Sequence, residues 1–448
     1  MNLRGFDALV ARQISDKAVP SISYVLFDRN EVLAQRHLTQ EGELSAGVFR
    51  IGSLSKTFAA LAAMRFVEQQ VLALDADIAE VVPGFAPANP WGGGPVTLRK
   101  LLSHRSGLTR EARHGGYLDD GNPPLAQTVA GLATSALKAP SDGTAYFYSN
   151  AGFAVIGRAI KLATGRTYAG ALREIVLAPL GLDDTQIART PEIERRLAPA
   201  LMWTTEGDAP APRFYLGSAP AGNIYATMED IAGYGSALLR GSHGLVTPAA
   251  LSQMWTAPIP GATYGLGFQL GDLDGHRTVG HGGALYGYSS SLILVPDAGI
   301  GLAMIATLDW SHELVGRLSC HALRLALAQR DHGEPPAPDA IEAPYGEPLS
   351  WRGHPPPPTP DESVSAPADV APHLGTYAPA FMPTHLRWSA GRLVCIIETF
   401  SRHDCEPIGG GRYLMHGAMY GREVLELGAE DAHGRAAIRV GEVLLPRL

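Results

Sequence analysis

Strand-like segments stand at both ends of residues 1–330, and helix-like segments fill the middle. Residues 22–27 and 32–37 are apolar runs joined by the turn-like DRNE, which is typical of a β-hairpin. The later segments YGLGFQL, HRTVGHGG, SSSLILV and IGLAMIATL predict a β-meander. Between the two, residues 53–70 and 151–164 carry apolar side chains at helical spacing. We therefore expect one antiparallel sheet built from both ends and packed against a helical region, which is an α+β fold.

The rest of the chain differs from this body in composition. Residues 331–370 contain EPPAP, HPPPPTP and SAPAD, which favour extended polyproline conformations and predict a linker. Residues 371–448 alternate short apolar runs with Gly or charged turns, which predicts a small all-β domain. A sheet of that size is marginally stable alone. We expect it to dock on the main body and wall its cleft, with the chemistry surviving its removal.

Charge and hydropathy exclude several classes of partner. The 36 Lys and Arg residues against 44 Asp and Glu give a net charge of −8, without a basic run, so neither nucleic acid nor an anionic membrane is expected as a partner. The N-terminal MNLRGFDALVARQISDK has charges throughout and does not resemble a secretion signal, so we expect a cytoplasmic protein. The longest apolar stretch, 292–308, is broken by Pro296, Asp297 and Gly299, so no membrane span is predicted.

Metal and nucleotide sites also lack support in the sequence. The cysteines Cys320, Cys395 and Cys405 follow no CxxC spacing, and HExxH is absent, so we expect no metal site. A disulfide between Cys395 and Cys405 is not expected in a reducing cytosol. No GxGxxG follows a strand, and neither a phosphate-binding loop nor a GxSxG elbow occurs. We therefore expect no cofactor.

The first motif that can carry chemistry is Ser53 with Lys56 in FRIGSLSKTF. At the start of the predicted helix, residues three apart share one face. A desolvated lysine can take the serine proton once its pKa falls below the usual value of about 10.4. The N–H groups of a helix start can also stabilise an oxyanion. The alternative is a serine cap followed by a solvated lysine, and SALK at 135–138 has the same spacing at what we expect to be a surface helix end.

The second motif is Tyr148 with Asn150 in AYFYSN, just before a predicted helix. A phenol, with an ordinary pKa near 10, can move a proton between nucleophile and leaving group if nearby cations lower that pKa. The Asn150 side chain can hold the lysine and a substrate carbonyl. The alternative is that Tyr146, Phe147 and Tyr148 are core aromatics and that Asn150 caps the helix.

The third motif ends a predicted strand and consists of His281, Gly282, Gly283 and Ala284. Paired glycines allow a substrate backbone to approach the strand closely. The N–H groups of Ala284 and Ser53 would together make an oxyanion hole. His281 would orient Tyr148 or bind a substrate carboxylate, and the alternative is an ordinary histidine in a Gly-rich turn.

The three motifs occur in the order SxxK, YxN, HxG, together with the segments VTLRKLLSHRSGL, FYSNAGFAVIGRAIKLATG, PLGLDDT, AGNIYATMEDIAGY and GHGGALYGYSS. Over residues 5–325 this resembles the penicillin-recognising serine hydrolases: class C β-lactamases, D-alanyl-D-alanine carboxypeptidases, D-aminopeptidases and related esterases. The resemblance implies a β-lactamase-like catalytic domain over residues 1–330 and a lipocalin-like domain over 371–448. His104 matches a family landmark without a catalytic role that we can argue, and we interpret it as structural.

Position by position, the resemblance makes Ser53 the acylated nucleophile, Lys56 and Tyr148 the proton-transfer pair, and Asn150 their support. It makes the strand edge from His281 through Gly282 and Gly283 to Ala284 the place where substrate docks. The sequence departs from the family because it has no lysine after residue 161, so His281 stands in for the lysine of the family's KTG motif. A mostly neutral imidazole holds a carboxylate weakly, which argues against an efficient β-lactamase.

The expected function is a serine hydrolase that forms an acyl-enzyme on Ser53. Its expected substrates are small amides, D-residue-containing peptides or esters, so the partner is a small-molecule or peptide acyl substrate. One alternative is an acyltransferase or peptide cyclase of the penicillin-binding-protein type. Another is a catalytically weak penicillin-binding sensor. A homo-oligomer is possible, and the sequence does not define its size.

Overall fold

The computed structural model describes most of the chain. The described residues are 3–43, 47–119, 121–204, 207–213, 215–309, 311–331, 333, 364–380, 382–397, 401–417 and 420–448. The predicted linker over 331–370 lies outside the described residues for most of its length.

The described residues form ten α-helices and nineteen β-strands. The helices are α1 Arg4–Lys17, α2 Ser55–Glu68, α3 Leu98–Leu102, α4 Leu125–Ala130, α5 Asn150–Thr164, α6 Tyr168–Leu172, α7 Pro191–Arg196, α8 Met228–Leu239, α9 Pro248–Met254 and α10 His312–Arg330. The strands before the linker are β1 Ser21–Asp28, β2 Val32–Thr39, β3 Gly42–Glu43, β4 Phe49–Arg50, β5 Leu201–Thr204, β6 Gly207–Pro210, β7 Tyr225–Ala226, β8 Gln269–Leu273, β9 His276–Leu285, β10 Tyr288–Val295 and β11 Ile300–Ala306. The strands after it are β12 Gly375–Tyr377, β13 Thr384–Ser389, β14 Arg392–Ile397, β15 Ser401–Gly409, β16 Arg412–His416, β17 Val424–Glu430, β18 Ala436–Val440 and β19 Val443–Pro446.

One seven-stranded antiparallel sheet joins the two ends of the main body. Its strand order is β3-β2-β1-β11-β10-β9-β8. The join is the pairing of β1 with β11, in which Val25 lies opposite Ala303. The α+β arrangement predicted from the strand-like segments is therefore confirmed. The pairing joins residues almost 280 positions apart in the sequence.

Both faces of this sheet are covered, which explains why β1 is apolar at nearly every position. Val25 and Phe27 face the helical region and belong to its large core. Tyr24 and Leu26 point to the other face, where they pack with side chains of α1 and α10. Successive side chains of a strand point to opposite faces, so a strand buried on both sides is apolar throughout.

The helical region is built around α2. All of its side chains from Ser55 to Met64 are buried, and small alanines fill much of that length. The Phe58 ring stacks on Tyr234 of α8, with ring centroids 3.8 Å apart. Because α2 is enclosed along its length, the residues at its N-terminus are held in one position relative to the sheet.

The C-terminal region is all-β, as predicted. Strands β12 to β19 pair antiparallel in chain order. A bridge between Tyr377, at the end of β12, and Arg447, just after β19, brings the first and last strands together and closes the meander into a barrel. Its core holds Cys395 and Cys405 as buried free thiols, and Cys320 is also free. Cys395 lies opposite His403 rather than Cys405 in the strand register.

The barrel docks on the main body through a buried carboxylate. Glu423 is 2% exposed, and its Oε1 accepts hydrogen bonds from Thr109 Oγ1 at 2.9 Å and from the backbone N–H of Arg110 at 3.1 Å. Lys138 Nζ pairs with Glu442 at 3.1 Å. Within the segment 135–138, predicted to be a surface helix end, Lys138 is part of this interface and Ser135 is buried.

Among the described residues, no helix has both the length and the apolar character needed to cross a membrane.

The buried carboxylate makes the docking testable. Replacing Glu423 with Ala leaves two donors of the main body without their acceptor, so we expect the free energy of unfolding to fall by about 2 to 3 kcal/mol. Glu406→Ala is the matched control, because Glu406 is an exposed barrel residue whose partner His416 is also on the surface, and exposed pairs contribute little. Urea denaturation followed by intrinsic fluorescence measures both variants. Equal stabilities would contradict the docking.

Candidate active site

Ser53 lies in a short 3-10 turn, Gly52–Leu54, directly before α2. The expectation that Ser53 stands in the first turn of the α-helix is therefore wrong by two residues, because α2 begins at Ser55. Gly52 has φ +53°, and a Cβ there would lie 2.9 Å from the backbone nitrogen of Ala284. Glycine at this position thus allows the turn to press against β9, which brings Ser53 close to the backbone of Ala284.

Lys56 is the buried partner of Ser53. Its Nζ is hydrogen-bonded to Ser53 Oγ at 2.9 Å and donates to the backbone oxygen of Ala221 at 2.8 Å. The side chain is fully buried. Burial lowers the pKa of Lys56 well below its ordinary value, the Arg110 charge lowers it further, and Glu111 acts in the opposite direction. A lysine with a lowered pKa is available as a neutral amine, which is the form that accepts a proton.

Tyr148 faces Ser53 from the other side. Ser53 lies close enough to affect the pKa of its hydroxyl, and the Lys56 nitrogen lies 4.9 Å from the centre of its ring. Burial raises the pKa of Tyr148 above its ordinary value, and this outweighs the opposing effects of Ser53 and Arg110. The condition set from the sequence, that nearby cations lower this pKa, is met by Arg110, but burial has the larger effect. Tyr148 therefore keeps its proton and can donate it, so Lys56 is the candidate base of the pair.

Asn150 lies behind these groups rather than between them. Ser149, not Asn150, caps α5, since its Oγ accepts from the N–H of Gly152 at 2.9 Å. Asn150 Nδ2 donates to Glu111 Oε1 at 2.5 Å, and no hydrogen bond joins Asn150 to Lys56 within the described residues. The expected contact with the lysine is thus replaced by one with Glu111. Burial raises the pKa of Glu111.

His281 has both ring nitrogens occupied. Nδ1 donates to the backbone oxygen of Gly282, so Nε2 accepts from the hydroxyl of Tyr264 at 2.8 Å. Burial is the main cause that lowers the pKa of His281, to about 3, so the ring is uncharged. His281 therefore orients Tyr264 and not Tyr148, and it offers no positive charge to a substrate carboxylate. The expected contact with Tyr148 is thus corrected to one with Tyr264.

His104 is fully buried and supports Tyr148 from below. Its Nδ1 accepts from the backbone N–H of Ser149 at 3.0 Å, and its ring centroid lies 4.1 Å from that of Tyr148. Its φ of +56° is in the left-handed region, which fits the turn after α3. These contacts are structural, in agreement with the interpretation from sequence.

The end of β9 forms one wall of the site. The pairing of β8 with β9 stops at Gln269 and Gly280, so residues 281–285 extend beyond it. A side chain at Gly283 would run into the backbone oxygen of Ile51 and into Ser290 Oγ, so only glycine lets the strand pack on the turn that carries Ser53. The wall and the turn enclose a cleft of about 340 Å³. Predicted site residues that line it are Ser53, Tyr148, His281, Gly282, Gly283 and Ala284.

Sequence reasoning missed two charged residues that act on Lys56, Arg110 and Glu111. The Arg110 guanidinium lies 5.3 Å from the ring centre of Tyr148 and 5.4 Å from that of Tyr420, which belongs to the barrel. The signal available was the pair of charges in TRE directly after the apolar landmark SGL. The barrel therefore contributes to the surroundings of Tyr148 through Tyr420. The prediction from sequence gave the C-terminal domain only the role of a wall of the cleft.

Comparison with known proteins defines the family. A sequence profile described as Beta-lactamase matches residues 6–356. The chain belongs to the beta-lactamase family. Penicillin-binding protein 4 of Amycolatopsis lactamdurans is 29% identical over 300 residues, which cover 61% of this chain and 77% of the relative. The resemblance found in the sequence is thereby confirmed.

Solved structures of the family agree with this fold. A D-stereospecific amidohydrolase from Streptomyces is 25% identical, with a TM-score of 0.56 over 68% of this chain and 94% of its own. An octameric penicillin-binding protein homologue from Pyrococcus abyssi is 19% identical, with a TM-score of 0.62 over 99% of this chain and 100% of its own. Other relatives and structural neighbours are named as a D-alanyl-D-alanine carboxypeptidase, an esterase and a D-amino acid amidase.

Within the described residues, no group of three or more His, Cys, Asp or Glu side chains is placed to hold a metal ion.

The two charges beside Lys56 make its role as a base testable through pH. For an uncharged ester, kcat/KM rises as Lys56 loses its proton and is constant above its pKa. Arg110 lowers this pKa, so in Arg110→Gln the rise moves to higher pH. Glu111 raises it, so in Glu111→Gln the rise moves to lower pH. The pH profiles of the two variants are compared with that of Arg113→Gln. Profiles that do not move in opposite directions would exclude Lys56 as the base.

Proposed function

We propose that this member of the beta-lactamase family is a serine hydrolase that forms an acyl-enzyme on Ser53. One observation carries the proposal: a fully buried lysine with a lowered pKa is hydrogen-bonded to the oxygen of a half-buried serine that lines the cleft. A solvated lysine after a serine cap, which was the alternative, has neither the burial nor the contact.

The proposed acylation follows from this geometry. Ser53 Oγ attacks the substrate carbonyl carbon while its proton passes to the neutral Lys56 amine. The backbone N–H groups of Ser53 and Ala284 stabilise the oxyanion that forms. As the bond to the leaving group breaks, Tyr148 donates its proton to the leaving oxygen or nitrogen, and the Lys56 ammonium restores it. Water then attacks the ester on Ser53 by the reverse path and releases the acid.

The proposed substrates are small amides, D-residue-containing peptides or esters. An uncharged His281 supports substrates that do not depend on a carboxylate anchor at the strand edge. The names of two relatives point in the same direction, since one is an esterase from Burkholderia gladioli and one a D-stereospecific amidohydrolase. The homo-oligomer remains a prediction.

The nucleophile is tested by labelling. Ser53→Ala should abolish reaction with a fluorophosphonate probe, because it removes the attacking oxygen and costs at most about 1 kcal/mol of stability. Ser135→Ala is the matched control, since Ser135 stands in the second SxxK of the chain. Intact-protein mass spectrometry measures the adduct. Labelling of Ser53→Ala at the rate of the unchanged protein would refute the assignment.

The same spectrometry separates hydrolase, acyltransferase and sensor. The protein is exposed to D- and L-amino acid esters, to the corresponding amides and to a penicillin. A hydrolase shows steady release of acid, whereas a transferase yields a new amide when an amine is added. A sensor shows one burst and a persistent adduct.

Lys56 and Tyr148 are expected to act as one unit. If they share a proton path, Lys56→Ala combined with Tyr148→Phe loses little more activity than the worse single variant. Steady-state kcat of the three variants measures this. Losses that multiply would mean that the two residues act independently.

A further inference from the structure

The end of β9 presents a backbone edge to the cleft. Beyond its last pair with β8, residues 281–285 have no strand on that side among the described residues. An open edge of this kind accepts an extended peptide as an added strand. Backbone groups of every second residue face the same side of a strand, so the N–H and C=O groups of Gly282 and Ala284 form this edge.

Three of these four groups are already bound by side chains of the protein. Gln269 Oε1 accepts from the Gly282 N–H at 3.0 Å, and His281 Nδ1 donates to the Gly282 oxygen. The hydroxyl of Tyr117 donates to the Ala284 oxygen at 2.6 Å. No side chain binds the fourth group, the Ala284 N–H, in the part of the chain that the structure describes. This is the group assigned above to the oxyanion.

The geometry of an antiparallel pair shows which substrate atom meets Tyr117. Two directly opposed residues exchange both hydrogen bonds, so the partner whose carbonyl oxygen binds the Ala284 N–H directs its own N–H at the Ala284 oxygen. For a substrate, that N–H is on the α-nitrogen next to the scissile carbonyl. It therefore competes with the Tyr117 hydroxyl for one position.

Tyr117 is held firmly in this position. Tyr286 donates its hydroxyl to the backbone oxygen of Tyr117 at 2.6 Å, and the two rings meet edge to face with centroids 5.6 Å apart. Met382, which lies between β12 and β13 of the barrel domain, packs in the same cluster and is fully buried. The barrel domain thus supports the side chain that covers the strand edge.

We propose that Tyr117 is a specificity-determining residue. Its hydroxyl closes the β9 edge to acyl groups that carry an N–H on the carbon next to the scissile carbonyl. The preferred acyl donors are then esters and amides of simple carboxylic acids rather than peptides or amino acid derivatives. This inference rests on the proposed function and narrows its substrate class.

The test compares acyl groups that differ by one amide. The esters are p-nitrophenyl propionate and the p-nitrophenyl esters of N-acetyl-D-alanine and N-acetyl-L-alanine. The kcat/KM for each ester is divided by the rate at which that ester hydrolyses without enzyme. The unchanged protein should favour the propionyl ester over both others. Tyr117→Ala should raise the ratio of the better N-acetylalanyl ester to the propionyl ester about tenfold, the size of one recovered hydrogen bond. Tyr117→Phe keeps the ring and should raise it at least threefold.

Tyr413→Phe is the control, since Tyr413 lies on β16 of the barrel and does not line the cleft. It should leave the ratio unchanged. An unchanged ratio in both Tyr117 variants, with Ser53 still labelled by fluorophosphonate, would overturn the inference and leave the proposed function standing. If Ser53 is not labelled, the proposed function fails. Calorimetry then decides the inference by comparing Ser53→Ala with the double variant Ser53→Ala, Tyr117→Ala. N-acetyl-D-alaninamide should bind the double variant more tightly, whereas propionamide should bind both equally.

Discussion

The burial of one amine determines most of what this site can do. Lys56 lies inside a helix that is enclosed along its length, and its nitrogen has the Ser53 oxygen and the Ala221 carbonyl as partners. Removing a charge from water costs several kcal/mol, so the fold favours the neutral form of this lysine. The fold keeps that nitrogen buried while the neighbouring Ser53 lines the cleft.

Two neighbouring charged residues shift the pKa of Lys56. Arg110 and Glu111 are adjacent in sequence and act on Lys56 in opposite directions. Arg110 lies between Tyr148 of the main body and Tyr420 of the barrel, and its backbone is held by Glu423. The barrel thus contacts the loop that carries Arg110, whose charge acts on Lys56. Met382 of the barrel domain also packs in one cluster with Tyr117, which covers the strand edge.

The sequence predicts the large features of this fold because they are repetitive or local. Alternation and helical spacing indicate a sheet from both ends around helices, and the all-β C-terminal region follows from its short alternating runs. The three motifs also identify residues that meet at one cleft. Spacing does not reveal the partners of Asn150 and His281, because Glu111 and Tyr264 reach them through the tertiary fold. Nor does it reveal that burial outweighs the cations near Tyr148, since burial depends on everything packed around the ring.

The contact between Thr109 and Glu423 spans 314 residues, so it forms only late in the synthesis of the chain. Ser53 is made early, but the strand that supplies Ala284 and the barrel residues that hold Arg110 emerge later. At 5 to 20 residues per second, a ribosome needs on the order of 20 to 70 s to pass from Ser53 to Glu423. For that interval the nascent chain carries Ser53 and Lys56 without the barrel residues that hold Arg110 beside Tyr148.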